Sequence, residues 1–249
     1  MLEVIETEII LFFSFLVSSV AGFAGAAISV PLCAVVLGLA NAKAVVNIIS
    51  IAFNSTIIVQ HRKVLKVKEL LPIFALVFIG MILGMFFNSL VNVEEVLIRI
   101  LGGIILIITM IKLLCSKEIN LNKTASVIVL ILSGIVNYLF LCGGIVYMSM
   151  RYKEKEIFRA SNSFLFLLQS LYIMVIQYYK GLYTKENLII GLIGVIPVII
   201  ATIIGKQIVN VISQEKFEKM TCVLLIIMAI MLITQTSHIK MCLCTLKIQ

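Results

Sequence analysis

Long apolar runs separated by short charged stretches dominate the chain. Runs such as LLPIFALVFIGMILGMFF and NLIIGLIGVIPVIIATIIG have about the 20 residues that a helix needs to cross the hydrocarbon core of a bilayer. A barrel strand would instead alternate apolar and polar residues over about 10 positions. The pattern therefore predicts an all-α polytopic integral membrane protein. The predicted segments are 9–40, 44–60, 70–91, 96–114, 125–150, 160–179, 187–205 and 217–236.

Two of these segments, 9–40 and 125–150, are interrupted by glycines and polar residues. The interruptions read GFAGAAISVP at 22–31 and GIVNYLFLCGG at 134–144. Each predicts either a re-entrant hairpin or a tightly packed pair of helices, and both alternatives leave the ends of the segment on the same sides of the membrane.

An internal repeat relates the two halves of the chain. The pattern Q-x-x-K-x-L-x-x-K-E-x-L starts at Gln60 and again at Gln177, 117 residues later. A repeat at a fixed offset predicts duplicated structural units. The predicted organisation is a first repeat at 1–114, a cytoplasmic linker at 115–124, a second repeat at 125–236 and a C-terminal tail at 237–249.

Loop charges predict that the two copies are inverted. In the first copy the basic stretch, at 62–68, follows the Gln-bearing helix, whereas in the second copy a basic stretch at 151–159 precedes it. Because short cytoplasmic loops are enriched in Lys and Arg, the copies should lie in opposite senses. Inverted repeats are typical of secondary transporters, which bind substrate near the midplane on broken helices.

Composition excludes several other classes of protein. Only 13% of the residues are charged, against roughly 25% in soluble domains, and the mean hydropathy is +1.19. The net charge of +8 comes from basic residues scattered over short loops, so we expect no nucleic-acid partner. No metalloprotease, P-loop or dinucleotide motif occurs, and we expect no enzyme, cofactor or metal. The first eight residues hold three glutamates and no Lys or Arg, which disfavours a cleaved signal peptide.

The interrupted segments resemble the TauE/SafE family of membrane proteins. AGFAGAAISVPL at 21–32 is similar to the family's glycine-rich stretch that ends in Val-Pro-Leu. GIVNYLFLCGGIVY at 134–147 is similar to its second-half pattern of Gly, Asn, Phe, a Gly pair and Tyr. FRASNS at 158–163 and KGLYTKE at 180–186 also resemble family features, so the likeness covers about 220 residues.

The resemblance implies a multi-pass transporter of the plasma or inner membrane that exports sulfite or a related organosulfonate. Its partners would be a small anionic substrate and the lipid bilayer, and a homodimer is the oligomer that we consider. Two alternatives stay open. One is an importer of another small organic acid on the same fold, and the other is a membrane subunit that transports nothing.

The two breaks offer a way to hold an anion without burying an unpaired charge, which is costly in a bilayer. Helix N-termini carry free N–H groups and roughly half a positive charge, so we expect the breaks at 22–29 and 142–147 to face each other. Replacing Gly144 with Leu should abolish transport. The predicted substrate-binding residues are Gly22, Gly25, Ala26, Ser29, Pro31, Asn47, Ser50, Asn54, Asn137, Cys142, Gly143, Gly144, Tyr147, Asn162, Ser163 and Gln169.

Each of these features also has a simpler explanation. Glycines let membrane helices approach closely, and polar side chains hydrogen-bond between helices. Arg159, the predicted site of anion recruitment at the mouth of the second motif, also obeys the positive-inside rule. His61 is predicted to lie in a solvated loop. No charged residue falls in the middle of a predicted span, so no side chain stands out as a proton relay.

Overall fold

The protein is built of helices throughout the part of the chain that the computed structural model describes, which is residues 2–87, 103, 122–140, 145–152, 154–217, 219–224, 226 and 230. Five of the helices, α1, α3, α4, α7 and α8, are long and apolar enough to cross a membrane. A multi-pass helical protein is therefore confirmed. The helices are α1 (Leu2–Ala21), α2 (Gly25–Leu37), α3 (Leu39–Gln60), α4 (Val67–Phe87), α5 (Lys123–Phe140), α6 (Ile145–Arg151), α7 (Lys155–Tyr179) and α8 (Lys185–Val211).

The first interrupted segment consists of two helices that pack against each other. The chain leaves α1 after Ala21 through Gly22 and Ala24, whose φ angles are +84° and +83°, a left-handed conformation that ends a right-handed helix. Helix α2 has 13 residues and so is about 20 Å long at 1.5 Å per residue. It is too short to cross the roughly 30 Å hydrocarbon core by itself.

Several spanning helices begin earlier than predicted. Helix α7 starts at Lys155, whose Nζ donates to the carbonyls of Val209 (2.8 Å) and Ile212 (2.9 Å) at the end of α8. Arg159 is therefore part of a spanning helix, and so is Glu8 in α1. Both Glu8 carboxylate oxygens are buried without a hydrogen-bond partner. Both residues were predicted to precede a span, and they lie inside one because these helices begin earlier than the apolar runs.

The described helices form two packing groups. Helices α1, α2, α3, α7 and α8 pack extensively on one another, whereas α4 packs mainly on α5. The two groups meet along a sparser set of contacts, between α4 and α7 and between α2 and α5. The predicted segment 96–114 lies outside the described residues except for Gly103. Most of the linker and the whole tail also lie outside them.

Glycines bring α4 and α5 into backbone contact. A Cβ added to Gly134 would collide with the carbonyl oxygen of Val77 and would lie 2.8 Å from the Cα of Gly80. Such close approach is what small residues permit at a helix interface in lipid. Gly134, which belongs to the second motif, therefore acts in helix packing.

Replacing Gly134 with alanine should destabilise the protein. The methyl group must displace a backbone carbonyl, and overpacking of this kind costs about 2 kcal/mol, or about 4–8 °C in melting temperature. The temperature at which the buried Cys33 and Cys222 thiols react with a fluorogenic maleimide measures the loss. Gly191→Ala is the matched control, because the nearest neighbours of its methyl group are side-chain atoms of Ile48, at 2.8–3.3 Å, rather than backbone atoms. Equal melting temperatures for the two variants would refute the packing role.

Candidate anion-binding site

A cavity of about 30 Å³ lies at the break between α1 and α2. An ordered water needs about 10–15 Å³, so the cavity has room for about two water molecules. Its wall combines the break and the first turn of α2 with side chains from α1, α3, α5 and α7. The lining residues are Phe15, Ser18, Gly22, Phe23, Ala24, Gly25, Ala26, Ala27, Ser50, Phe53, Asn54, Asn137, Phe166 and Ser170.

Helix α2 begins at the cavity without a side-chain cap. Its N-cap residue is Ala24, whose side chain has no hydrogen-bond acceptor. The N–H groups of a first helical turn have no acceptor within their own helix. The amides of Gly25, Ala26 and Ala27 therefore form a patch of donors with the positive end of the helix dipole behind them. Such a terminus binds anions.

Polar side chains from four helices complete the wall. Ser50 and Asn54 on α3 and Ser170 on α7 are each less than 10% exposed, and Asn137 on α5 is 1% exposed. Asn54 donates from Nδ2 to the carbonyl of Ser50 at 2.7 Å, which leaves the second hydrogen of this amide for another acceptor. None of the described residues that line the cavity is charged, so its polarity comes from amides and hydroxyls.

The break is anchored from the second half of the chain. Asn162 on α7 donates from Nδ2 to the carbonyl oxygen of Gly22 at 2.8 Å, and both groups are buried. The amide of Gly22 in turn donates to the carbonyl of Ser18 at 2.7 Å. Helix α7 therefore fixes the direction in which the chain turns into α2.

Comparison with known sequences adds an independent finding. The sequence model of a family described as "Sulfite exporter TauE/SafE" matches residues 9–232. The chain belongs to this family. It matches no curated protein and no solved structure. Membership confirms the resemblance drawn from the interrupted segments, and it implies a membrane protein that exports sulfite or a related sulfur-containing anion.

Six of the residues predicted for substrate binding line the cavity of this TauE/SafE protein. Three belong to the break and the start of α2, two to α3 and one to α5. Asn137 comes from the second motif, so the two motifs do contribute to one cavity. The six residues are Gly22, Gly25, Ala26, Ser50, Asn54 and Asn137.

Other predicted residues lie away from the lining and have structural contacts. Ser29 donates to the carbonyl of Gly25 at 2.8 Å within α2. Asn47 donates to the carbonyl of Ser170 at 3.1 Å and to the Tyr183 hydroxyl at 3.3 Å. On one face of α3, Ser50 and Asn54 line the cavity, while Asn47 bonds α3 to α7. Hydrogen bonding between helices therefore applies at Asn47, whereas a role of Ser50 and Asn54 in lining a transport path stays a prediction.

The remaining predicted residues either do not line the cavity or lie outside the described part of the chain. Pro31 lies inside α2, and Ser163 is buried in α7. Gln169 is buried with neither amide atom hydrogen-bonded. The Tyr147 hydroxyl accepts a 3.4 Å hydrogen bond from Arg151. The predicted Cys142, Gly143 and Gly144, and with them the Gly144→Leu prediction, lie outside the described residues.

Several lining residues were not predicted. Phe15, Phe53 and Phe166 form aromatic parts of the wall, and the rings of Phe15 and Phe53 meet edge to face with centroids 5.1 Å apart. In the sequence these rings resemble ordinary packing residues. Ser18 carried the clearer signal, since it is a polar residue one turn before the break.

Arg159 and His61 lie next to each other beside the first break. Arg159 is 1% exposed and adjoins the first break, where its Cγ lies 2.7 Å from the position of a Cβ on Gly22. His61 is half-buried, and its Nε2 lies 3.4 Å from Nη1 of Arg159. His61 therefore lies in a loop as predicted, but only part of its ring is exposed because the ring packs against a buried cation.

Proposed function

We propose that this TauE/SafE protein exports sulfite or a related organosulfonate by alternating access, with the anion bound in the cavity at the break. The observation that carries the proposal is the uncapped start of α2 at this cavity. Amides of the first turn would donate to the oxyanion, and Ser50, Asn54 and Asn137 would supply side-chain donors. An uncharged wall suits a transporter, because an anion that is bound by dipoles rather than by an opposite charge can also be released.

The packing of the helices supports a route for alternating access. The cavity receives Asn137 from the α4–α5 pair and its other lining side chains from the larger packing group. A solute site between two groups with sparse mutual contacts can open to either side when one group moves against the other. In this proposal each packing group combines helices from two inverted repeats, at 1–114 and 125–236, in the plasma or inner membrane. Assembly into a homodimer stays a prediction.

Flux measurements in liposomes test the proposed function. The purified protein is reconstituted, and uptake of radiolabelled sulfite is compared with uptake of an organosulfonate and of short carboxylates. Sulfite or sulfonate flux above that of protein-free liposomes supports the proposal. Flux of carboxylates alone would instead favour the importer of another acid, and no flux of any anion would favour a subunit that transports nothing.

Replacing Asn54 with leucine should reduce sulfite flux about tenfold or more. The change removes a donor from the wall, and a hydrogen bond to a charged group contributes about 1.5–3 kcal/mol, where 1.4 kcal/mol corresponds to tenfold. Asn210→Leu is the matched control, because Asn210 is exposed on α8 and does not line the cavity. Normal flux through the Asn54 variant would exclude this wall from the pathway.

A further inference from the structure

Arg159 lacks partners for most of its guanidinium group. Nη1 contacts Nε2 of His61 at 3.4 Å, whereas Nε and Nη2 are buried without a hydrogen-bond partner. None of the ion pairs among the described residues includes Arg159. A buried guanidinium with unpaired N–H groups is unfavourable unless an anion joins it. The donors that are missing a partner here are the kind that a small oxyanion satisfies.

The side chain lies between the break and the turn that follows α3. Its stem adjoins Gly22, which lines the cavity. Its guanidinium group contacts His61, the first residue of a turn at 61–64. The turn and the residues that follow it include the exposed Lys63 and Lys66. A positively charged surface of this kind concentrates anions. Arg159 therefore occupies an intermediate position between a basic surface and the cavity.

His61 faces charges from two neighbouring helices. These are Arg159 and Glu156 on α7 and Lys206 on α8. Burial of the ring is the main cause that lowers the pKa of His61 below 6.5, followed by the positive charge of Arg159, while Glu156 opposes the shift and Lys206 adds to it. At neutral pH the ring is therefore neutral, and its Nε2 accepts from Arg159.

We propose that Arg159 and His61 form a second binding site for a small oxyanion, between the basic turn after α3 and the cavity, and that His61 takes up a proton when the anion binds. The inference rests on the proposed function, because the anion at this site is the transported one. A bound negative charge counteracts the repulsion between Arg159 and a protonated His61. The protonated ring donates from both nitrogens, so it joins the guanidinium as a donor to the anion.

The pH dependence follows from linkage between the two ligands. If anion binding favours protonated His61, protonation of His61 must favour the anion to the same extent. Affinity for the anion is therefore higher at low pH, where His61 is protonated, and falls as the pH rises through the pKa of His61 in the anion-bound protein. One proton would therefore move through this site with each anion.

Proton uptake on anion binding is the direct test. Methanesulfonate serves as the probe, because its charge does not change between about pH 5.5 and about pH 8, the range in which histidine titrates. Methanesulfonate is added to weakly buffered, purified protein near neutral pH, and proton uptake and affinity are measured. The natural chain should take up protons. Arg159→Gln should weaken binding about tenfold or more and abolish the uptake.

Two further variants separate the roles of the residues. His61→Gln retains a hydrogen-bond acceptor for Arg159 and should still bind methanesulfonate, but with no proton uptake and with an affinity that does not change with pH. Lys180→Gln removes an exposed charge at the opposite end of α7 and should behave like the natural chain. Without anion, Arg159→Gln should unfold at no lower a temperature than the natural chain, because it loses an unpaired buried charge.

Each outcome bears on one proposal or the other. Proton uptake that persists in Arg159→Gln or in His61→Gln overturns the second site, even if sulfite flux in liposomes supports the proposed function. Uptake that depends on both residues, in a protein that carries no sulfite, supports the second site and overturns the transport proposal alone. Asn54→Leu should keep the proton uptake while it loses flux, since its side chain lies in the cavity.

Discussion

Replacing Gly22 with alanine should reduce sulfite flux by more than tenfold. Gly22 has a φ of +84°, and an added Cβ would lie 2.7 Å from Cγ of Arg159 and 3.2 Å from the ring of Phe158. The left-handed conformation costs an alanine about 1–2 kcal/mol. The methyl group also has to displace Arg159 or the break itself. Flux in liposomes measures the loss of transport, and the melting temperature of the same preparation measures the loss of stability.

Gly38→Ala separates backbone strain from the displacement of Arg159. Gly38 has a similar φ of +77°, but no atom in the described part of the chain lies within 4 Å of its added Cβ. Gly38 also has a ψ of 154°, a conformation that alanine adopts very rarely, so both variants should lose stability. Only Gly22→Ala should lose flux beyond what its loss of stability explains. If Gly38→Ala loses as much flux as Gly22→Ala, backbone strain explains both and the local role of Gly22 is refuted.

Replacing Asn162 with leucine should also cause a large loss of flux. Its Nδ2 is the buried donor to the Gly22 carbonyl at 2.8 Å, and an unsatisfied buried carbonyl costs about 1–3 kcal/mol. The Gly22 carbonyl can find another donor only if the break rotates, and this rotation would move the amides at the start of α2. We expect at least about a tenfold loss of flux and a lower melting temperature.

Asn41→Leu is the control for Asn162. Asn41 accepts a 2.9 Å hydrogen bond from Asn187 and so bonds α3 to α8, but it does not line the cavity. Its loss should lower the melting temperature with little change in flux per folded protein. If Asn162→Leu follows the same pattern, Asn162 serves stability alone and does not position the break.

The helices and the first break were predictable because their signals are local. Apolar runs of spanning length fix where helices form, and a glycine-rich interruption marks where one ends. The left-handed conformation of Gly22 is the kind of backbone geometry for which glycine is selected. Ser50 and Asn54 share a face by helical spacing, so their joint role could also be predicted. The inverted repeat remains a prediction from loop charges.

The missed features depend on where helices sit relative to each other. Whether Asn47 or Ser50 reaches the cavity is decided by the rotation of α3 against α7, which the spacing of residues along one helix does not contain. Arg159 appeared to be a loop residue because apolar runs underestimate helices that begin with charged residues. Helix α7 in fact starts at Lys155, and this places Arg159 against Gly22 and His61.

The four phenylalanine rings of the cavity wall have a consequence for how the transported solute can change within such a protein. Backbone amides recognise negative charge but cannot be altered by substitution, since every residue but proline has one. Phe15, Phe23, Phe53 and Phe166 bound the space in which the rest of the solute must fit. Substitution of these rings by smaller or larger side chains can therefore change which acid fits the cavity. The backbone amides, and with them the preference for negative charge, stay the same.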